Sequence, residues 1–594
     1  MSLDKIARRI LLIGAIFLTV LSCVKGIWIS LDIDESYAVA MGYRLIRGDR
    51  LVIDMWEPHQ FSAFMVAFFS APYVWIRGNT DYLIIYLRTI GVLIHAGLGL
   101  IMYRQLSRTC DKAIAFSILF IHLNFLPKWI QIPEFELMHY WFLLGIFLSL
   151  YAYFTGKRHK TFLLIGGACV AGSVLCYPTL IILYPFYIIG IVVLEKQYLT
   201  SEAGKILLDG LLFTLGAFLV GMIFLGNLFF NMSWKDMRHY LAYIFLDTSH
   251  TTYTMAQKWS MYLLQLQDQG LTYLQCLLLA AVIAVILYLV YKVGFRTDKG
   301  SVVNVVGPIV LIILLLTALL MQITSICGYL FDDKNQFFFQ IKYIALIVPA
   351  AVLGIRYYKQ MAIWLYLCVL PGILSVVAAL FVTNMDTNAA YTKAFLGVLG
   401  SFLMFYQYVK NVMKESFWKK IFYIVQSTAG GMLFIGLLVC RLLMIRVTGC
   451  FPVTILAPLE RMETGPEAGI YVLEDTAKIW NDNYRELARY VKEDDRLLYI
   501  GSENLIYVAT NAVVAAPSTL DTAVFNEMYL YYYEEHPERI PDVVVYDKSY
   551  AEHPAYALSF SASLQSRVLF DWIEENFSDW QVTETDHMII LSKP

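Results

Sequence analysis

An acidic segment near the start of the chain holds the densest group of residues that could do chemistry. It contains Asp32, Asp34 and Glu35, and Arg44 and Gly48 follow within the same stretch. A carboxylate can serve as a general base when it lies within hydrogen-bond reach of the proton it takes. The same pattern also predicts a plain capped helix, in which Asp34 caps a helix beginning at Glu35 and Gly48 ends it. The local pattern leaves both interpretations open.

A second polar element, Pro58-His59-Gln60, leads into an apolar run at residues 61–75. We interpret the run as a helix lying at the membrane surface. His59 and Gln60 are candidate substrate contacts. The alternative is structural, since a proline is ordinary punctuation at a helix start.

Four more candidate binding residues lie beside apolar segments, namely Glu134, Glu136, Tyr177 and Lys342. The two glutamates can equally be ordinary loop carboxylates. Lys342, at the mouth of a helix, can bind a phosphate or extend its ammonium to the membrane interface.

Arg88 lies well inside an apolar segment. A bare guanidinium in hydrocarbon is costly, so we expect it to pair with a carboxylate, Asp34, Glu35 or Asp81. Such a pair can be structural or can contribute to a substrate site.

These residues lie between apolar segments of membrane-spanning length, except Arg88 and Lys342, which fall within such segments. The chain has 594 residues, of which 59% are hydrophobic and 15% charged, more apolar surface than a soluble chain can bury. A net charge of −2 gives no indication of a nucleic-acid partner. The predicted fold class is a polytopic α-helical membrane protein with about thirteen spans. They are predicted at residues 9–28, 81–104, 113–127, 137–155, 161–176, 179–195, 206–230, 270–292, 303–323, 340–356, 361–383, 394–410 and 420–446.

Basic residues fix the predicted orientation. Six basic loops or ends fall on one side if the spans alternate, so this side is cytoplasmic and contains the N-terminus. The first outer loop is then residues 29–79. A second outer loop, 231–268, has Met237, Tyr240, Ile244 and Phe245 at helical spacing and predicts another interfacial helix. The expected location is the cell membrane of a bacterium.

The composition changes near residue 449. Residues 1–448 form the predicted membrane domain, and residues 449–594 a predicted extracytoplasmic α/β domain. Strands are expected at 496–501 and 542–547, helices at 484–491, 525–535 and 566–577, and a hairpin or strand at 581–592. The scattered cysteines and histidines predict no metal site, although a divalent metal is not excluded.

The order of these motifs resembles that of the GT-C glycosyltransferases, in particular the protein O-mannosyltransferases and bacterial aminoarabinose transferases. In that group an acidic residue after the first span is the catalytic acid/base, which corresponds here to Asp34 with Glu35 beside it. Pro58-His59-Gln60 stands where the family has His-Pro-Pro-Leu or a relative. Glu134 or Glu136 takes the acidic place of a Thr-Pro-Asp element. Cys176-Tyr177-Pro178 resembles a Lys-Tyr-Pro element with cysteine in place of lysine.

The resemblance implies three partners. They are a sugar donor carried on a polyprenyl phosphate, the surrounding membrane lipid, and an extracytoplasmic acceptor that is a glycan, a lipid or a protein. Lys342 or Arg88 would stabilise the leaving phosphate, and Asp34 would accept the acceptor's proton, with inversion at the anomeric carbon. Double displacement through Glu134 stays open.

Two other classes compete with a transferase. A transporter or flippase of lipid-linked sugars would also have many spans, but the sequence shows no convincing internal repeat. A sensor would bind a ligand through its C-terminal domain, for which Gly501-Ser-Glu-Asn504 after a strand is a candidate loop that can equally be a plain turn.

Overall fold

The fold is known from a computed structural model of the chain. It describes residues 3–156, 159–199, 201–243, 253–294, 302–331, 344–382, 392–413, 416–446, 452–501, 503–520, 526–548 and 567–593.

The main body is a bundle of apolar helices. Within the described ranges, nine helices are long and apolar enough to cross a membrane: Arg9–Trp28, Leu83–Leu106, Phe135–Thr155, Pro178–Leu199, Ala203–Asn231, Met255–Val293, Val306–Thr324, Tyr358–Phe381 and Phe417–Leu443. Four shorter helices of the described ranges also belong to the bundle: Lys112–Asn124, Thr161–Cys176, Ile344–Arg356 and Phe395–Asn411. Each of the thirteen predicted spans falls on one of these helices.

Large apolar side chains cover the outside of the bundle. Phe230, Val293 and Ile355 are 89%, 84% and 81% exposed, as lipid-facing residues would be. The chain is a polytopic α-helical membrane protein. One predicted boundary is wrong, because the helix containing the span predicted at 270–292 begins at Met255 and takes up the second half of the predicted outer loop 231–268.

Two helices connect the first two long membrane helices. The first, Ile33–Ile46, is called the acidic helix here, and the second, Gln60–Arg77, is called the surface helix. They pack against each other. The surface helix has one buried and one exposed face, since Val66 is fully buried and Trp75 is 73% exposed. This is the two-faced pattern expected of a helix lying on a membrane.

The acidic helix is different. Tyr37, Met41 and Arg44 recur at helical spacing in the sequence, and this spacing predicts one face of the helix that lies on the membrane. In the structure all three side chains are buried within the protein. That prediction is wrong, because the surface helix and the C-terminal residues cover this face. In the second outer loop a short helix, Trp234–Tyr240, contains Met237, whereas Ile244 and Phe245 lie outside the described residues.

The described residues between 452 and 593 form the C-terminal α/β region. Its main sheet has five strands in the spatial order Val513–Val514, Arg496–Ile500, Val543–Asp547, Met588–Ser592 and Gln581–Glu584. The first three strands are parallel and the last two form an antiparallel hairpin. In the described part of this region four α-helices accompany the sheet: Glu474–Tyr490, Ile506–Ala509, Asn526–Glu535 and Val568–Asn576. Two short antiparallel pairs lead into the region: Met444–Arg446 with Pro452–Thr454, and Leu459–Arg461 with Tyr471–Leu473.

The predicted strands, helices and hairpin of this region are confirmed. The first of the helices is longer than predicted and begins at Glu474 rather than Tyr484. The region packs on the loop that carries the acidic helix, so both lie on the same side of the bundle. One contact is the hydrogen bond from the Gly465 N–H to the Asp81 carboxylate, at 2.9 Å.

Candidate active site

The acidic helix begins one residue before Asp34. Asp32 is its N-cap, and the Asp32 carboxylate accepts a hydrogen bond from the Asp34 N–H at 3.0 Å. The sequence assigned the cap to Asp34, which is wrong, since Asp34 is already inside the helix. Its side chain is therefore not used as the cap and points to another partner.

That partner is a lysine. The Lys128 ammonium donates a hydrogen bond to Asp34 Oδ2, and the two side chains are 16% and 22% exposed. This pair joins the acidic helix to the 127–134 loop, which connects two bundle helices. Asp34 thus retains contact with solvent while a cation holds its carboxylate in place.

Glu35 has a different environment. Its carboxylate accepts two hydrogen bonds from the Arg88 guanidinium, at 2.7 and 2.6 Å, and both side chains are 3% exposed. Arg88 also donates to the carbonyl oxygens of Ser30 and Ile27, at 2.6 and 3.2 Å. Of the three acidic partners that the sequence allowed for Arg88, the structure selects Glu35. The pair ties the start of the acidic helix to the membrane helix Leu83–Leu106, and the bond to the Ile27 carbonyl joins both to the end of the first membrane helix.

The 127–134 loop is held tightly between two membrane helices. A Cβ atom on Gly26 would lie 1.3 Å from Gln131 Nε2, and one on Gly91 would lie 1.6 Å from the Gln131 carbonyl oxygen. The approach to the Gln131 backbone at Gly91 requires glycine, whereas the Gln131 side chain facing Gly26 could move aside. Lys128 and Trp129 have φ angles of 49° and 60°, which lie in the left-handed region that residues other than glycine rarely adopt. Such strain persists only where the surroundings enforce it, and it is often found at functional sites.

Glu134 ends this loop as the N-cap of the helix Phe135–Thr155. Its two carboxylate oxygens accept hydrogen bonds from the backbone N–H groups of Glu136 and Leu137, at 2.7 and 2.6 Å. The side chain is fully buried. Glu134 therefore stabilises the start of a helix, and both oxygens that a nucleophile would need are already bonded.

Glu136 is the centre of a buried charge cluster. Lys393 donates to both Glu136 oxygens, at 3.0 and 2.9 Å, and the Tyr177 hydroxyl donates to one of them at 2.5 Å. The Lys393 ammonium also lies 3.8 Å from the centre of the Tyr177 ring. Lys393 is a cation that sequence reasoning missed. It lies beside Tyr177, which follows Cys176, and the resembled Lys-Tyr-Pro element has a lysine at the position of this cysteine.

His59 joins this group through its ring. It stacks on Phe135 with ring centres 4.1 Å apart and meets Tyr177 edge-on at 5.2 Å. Gln60 has a different role, because it donates to the backbone carbonyls of Met55 and Glu57 and accepts from the Val52 N–H. At 2% exposure Gln60 stabilises a turn, and these bonds leave it little capacity for a substrate.

A small, partly open cavity of about 40 Å³ lies at the start of the acidic helix, and Lys128, which bonds to Asp34, is part of its wall. Its polar lining comes from the ends of the first and last membrane helices, the acidic helix and the 127–134 loop. The charged residues of the lining are Lys25, Asp32, Glu35, Arg88, Lys128 and Arg441. Lys342, which the sequence proposed as a phosphate contact, lies outside the described residues.

The C-terminal α/β region holds the loop after the acidic helix through a buried ion pair. Arg44 donates to Glu57 at 3.1 Å and to the Pro517 carbonyl at 3.3 Å, and Glu57 accepts from the Thr519 N–H at 2.5 Å. Arg44 also pairs with Asp49 at 2.7 Å. Burial raises the pKa of Glu57, and the adjacent guanidinium of Arg44 opposes that shift.

The candidate ligand loop at 501–504 is part of the same contact. The Asn504 side chain donates to the Ser36 hydroxyl on the acidic helix at 3.4 Å, and both Asn504 and Glu503 are buried. The loop thus lies against the acidic helix. Among the residues with described positions, no three His, Cys, Asp or Glu side chains are arranged to hold a metal ion.

No protein-family model matches the chain, and no curated protein matches it. Solved structures do show similarity. The apo oligosaccharyltransferase of Archaeoglobus fulgidus has a TM-score of 0.41 at 12% identity, over 93% of this chain and 72% of that one. The archaeal oligosaccharyltransferase AglB from the same organism, in complex with an inhibitory peptide and a dolichol-phosphate, has a TM-score of 0.42 at 11% identity, over 93% and 71%.

ArnT from Cupriavidus metallidurans, bound to undecaprenyl phosphate, has a TM-score of 0.41 at 10% identity over the whole of both chains. ArnT is an aminoarabinose transferase, and both kinds of protein are GT-C glycosyltransferases.

Proposed function

We propose that this chain is a membrane glycosyltransferase. It moves a hexosyl or pentosyl group from a polyprenyl-phosphate donor to an acceptor on the membrane face opposite the cytoplasm, with Asp34 as the general base. The observation that carries the proposal is the contrast between neighbouring carboxylates. Asp34 is 22% exposed and bonds to a lysine that lines the cavity, whereas Glu35 and Glu136 are 3% and 2% exposed and bound to buried cations.

In the proposed reaction the acceptor hydroxyl attacks the anomeric carbon of the donor. A new carbon–oxygen bond forms, the bond to the phosphate oxygen breaks, and the phosphate leaves with the bonding electron pair. The hydroxyl proton passes to the Asp34 carboxylate, which must lie within about 3 Å of it. Lys128 acts as a positioning residue, since its ammonium orients that carboxylate.

Direct displacement inverts the anomeric carbon. Retention would need a second carboxylate as nucleophile, and Glu134 was the residue that the sequence left open for this. Because both of its oxygens accept backbone hydrogen bonds and the side chain is fully buried, Glu134 is poorly suited to attack a sugar. Inversion with a single base is therefore the proposed course.

The proposed orientation places the acidic helix and the C-terminal α/β region outside the cytoplasm. Two observations support it. The basic loops of the bundle fall on one predicted side, and the contacts between Arg44 and Pro517 keep the two extramembrane parts together on the other side. The acceptor would then approach from beneath the C-terminal α/β region, and the donor lipid from the bilayer.

The test compares Asp34→Asn with the wild-type protein in lipid nanodiscs. A panel of undecaprenyl-phosphate hexoses and pentoses is supplied with a membrane extract as acceptor, and free undecaprenyl phosphate is quantified by mass spectrometry. Loss of a general base costs on the order of 10²- to 10⁴-fold in rate. The matched control is Asp482→Asn, a carboxylate 47% exposed on the surface of the C-terminal α/β region.

Undiminished release of undecaprenyl phosphate by the Asp34→Asn protein would remove Asp34 as the base. If the wild-type protein moves the donors across the membrane but leaves every one of them intact, the chain is a transporter of lipid-linked sugars and the proposed function is wrong.

A further inference from the structure

Two cations in the wall of the cavity at the start of the acidic helix have no acidic partner among the described residues. They are Lys25, near the end of the first membrane helix, and Arg441, near the end of the last. The other two basic residues of the lining are already paired, Arg88 with Glu35 and Lys128 with Asp34. The proposed reaction needs a cation for the leaving phosphate, and Arg88, which the sequence suggested, is committed elsewhere.

Each of the two cations also has a structural role. Lys25 donates to the carbonyl oxygens of Arg441 and Met444, and Arg441 Nη1 donates to the Leu123 carbonyl at 2.7 Å. These carbonyls lie at helix ends, where the helix dipole favours positive charge. A structural interpretation is therefore that both residues only cap helices.

The caps do not use all of the donors. A guanidinium carries five N–H groups and an ammonium three. Arg441 is 5% exposed, and its Nε–H is buried without an acceptor. Buried donors in native proteins almost always have partners, so an orphan donor in the wall of a cavity marks the place for an acceptor.

We propose that Lys25 and Arg441 form a phosphate-binding site that holds the phosphate group of a prenyl lipid. The proposal deepens the proposed function and rests on it for the role of this phosphate as the leaving group. Arginine and lysine side chains are the usual protein ligands of phosphate, because they offer charged donors to several oxygens. Lys128 connects this site to the reaction centre, because it lines the cavity and bonds to Asp34.

The surroundings favour a lipid over free phosphate. Trp28 and Leu443 lie within three residues of the two cations along the chain and are 42% and 49% exposed. They belong to the first and last membrane helices, which pack against each other. A prenyl chain attached to a phosphate in this cavity would find apolar side chains directly beside it.

The test measures binding of radiolabelled farnesyl phosphate to the full-length protein in phosphatidylcholine nanodiscs. We expect Lys25→Gln and Arg441→Gln each to weaken binding by about ten- to a hundredfold, as expected for the loss of a hydrogen bond to a charged group. Arg441→Lys keeps the charge and should recover part of the affinity. The control is Lys420→Gln, an exposed lysine at the opposite end of the last membrane helix.

A second measurement needs no variant. Lysines of the wild-type protein are acetylated with and without farnesyl phosphate, and each site is quantified by mass spectrometry. Protection of Lys25 but not of Lys420 supports the proposal. Unchanged binding by both glutamine variants, or equal acetylation of Lys25 in both conditions, would overturn it.

Competition identifies the source of the phosphate. Farnesol should compete at least tenfold less well than farnesyl phosphate. If inorganic phosphate competes as well as farnesyl phosphate, the site takes free phosphate and the lipid assignment is wrong. The binding, acetylation and competition experiments measure phosphate binding and not sugar transfer. They can therefore fail while Asp34-dependent transfer is intact, and transfer can fail while Lys25 and Arg441 still bind farnesyl phosphate.

Discussion

Glu35 stands next to the proposed base, and substituting it separates a structural carboxylate from a catalytic one. In Glu35→Gln the Arg88 guanidinium keeps its bonds to the Ser30 and Ile27 carbonyls but loses both ionic contacts at 3% exposure. Removing one partner of a buried ion pair costs about 3–5 kcal/mol, since an uncompensated charge stays buried. The two remaining carbonyl bonds favour the lower end, about 3 kcal/mol.

The assay is unfolding of the purified protein in detergent, followed by tryptophan fluorescence. Arg88→Met and the double variant Glu35→Gln/Arg88→Met complete a double-mutant cycle. In the double variant no unpaired Arg88 charge stays buried. We expect the double variant to be more stable than Glu35→Gln alone. The control is Glu486→Gln, which breaks a surface pair with Arg489 and should cost about 0–1 kcal/mol.

A loss of less than about 1 kcal/mol in Glu35→Gln would refute the assignment of a buried structural pair. The assignment would also be refuted if Glu35→Gln abolished sugar transfer and left the free energy of unfolding unchanged. Glu35 would then act in the reaction and not in the fold.

Two further predictions concern the C-terminal α/β region. Glu57→Gln removes one of the two ionic partners of Arg44 and the charge that accepts from the Thr519 N–H, so we expect limited proteolysis to cut the C-terminal α/β region at least severalfold faster. Glu574→Gln, on a carboxylate 70% exposed, should leave the rate unchanged, and equal rates for both variants would contradict the prediction. Burial raises the pKa of Glu467 from 4.5 to about 8, so the folded protein retains a proton that the unfolded chain releases, and stability falls as pH rises from about 4.5 to about 8. Glu467→Gln should remove this component and raise the melting temperature at pH 8.5 relative to the wild type; a pH profile with the same slope as that of the wild type would count against it.

The local patterns of the sequence predicted most of the architecture. Apolar segments of spanning length marked the bundle helices, and apolar runs marked strands such as Arg496–Ile500. These patterns are formed by residues close together in the chain, and their hydrophobicity indicates whether they face lipid, protein or water. A single sequence therefore contains them. The acidic helix was also predicted, but its cap was misassigned because Asp32 and Asp34 are equally good cap residues.

The pairings of the site are not local and could not be read in this way. Lys128 is 94 residues from Asp34, and Lys393 is 257 residues from Glu136. A signal for these cations was nonetheless present. Lys25, Lys128, Lys393 and Arg441 all fall on the predicted outer side, where basic residues are depleted, so an exception to the orientation rule marks a residue with a partner or a ligand.

Gln60 shows the limit of motif position as a guide. The resemblance placed it among substrate contacts, yet its amide serves three backbone groups of a preceding turn. The sequence contains no sign of this, because the turn that Gln60 stabilises has no regular pattern of its own.

The contacts of the acidic helix with the far end of the chain have a consequence for biosynthesis. Tyr43 bonds to Asn511, 468 residues later, and Asp49 pairs with Arg539, 490 residues later. At about 5–20 residues per second, the ribosome takes roughly 25 to 95 seconds to supply these partners after the acidic helix has been made. Arg44 and Glu57 meet Pro517 and Thr519 only then, so a nascent or truncated chain carries the proposed base without the cover that completes its surroundings.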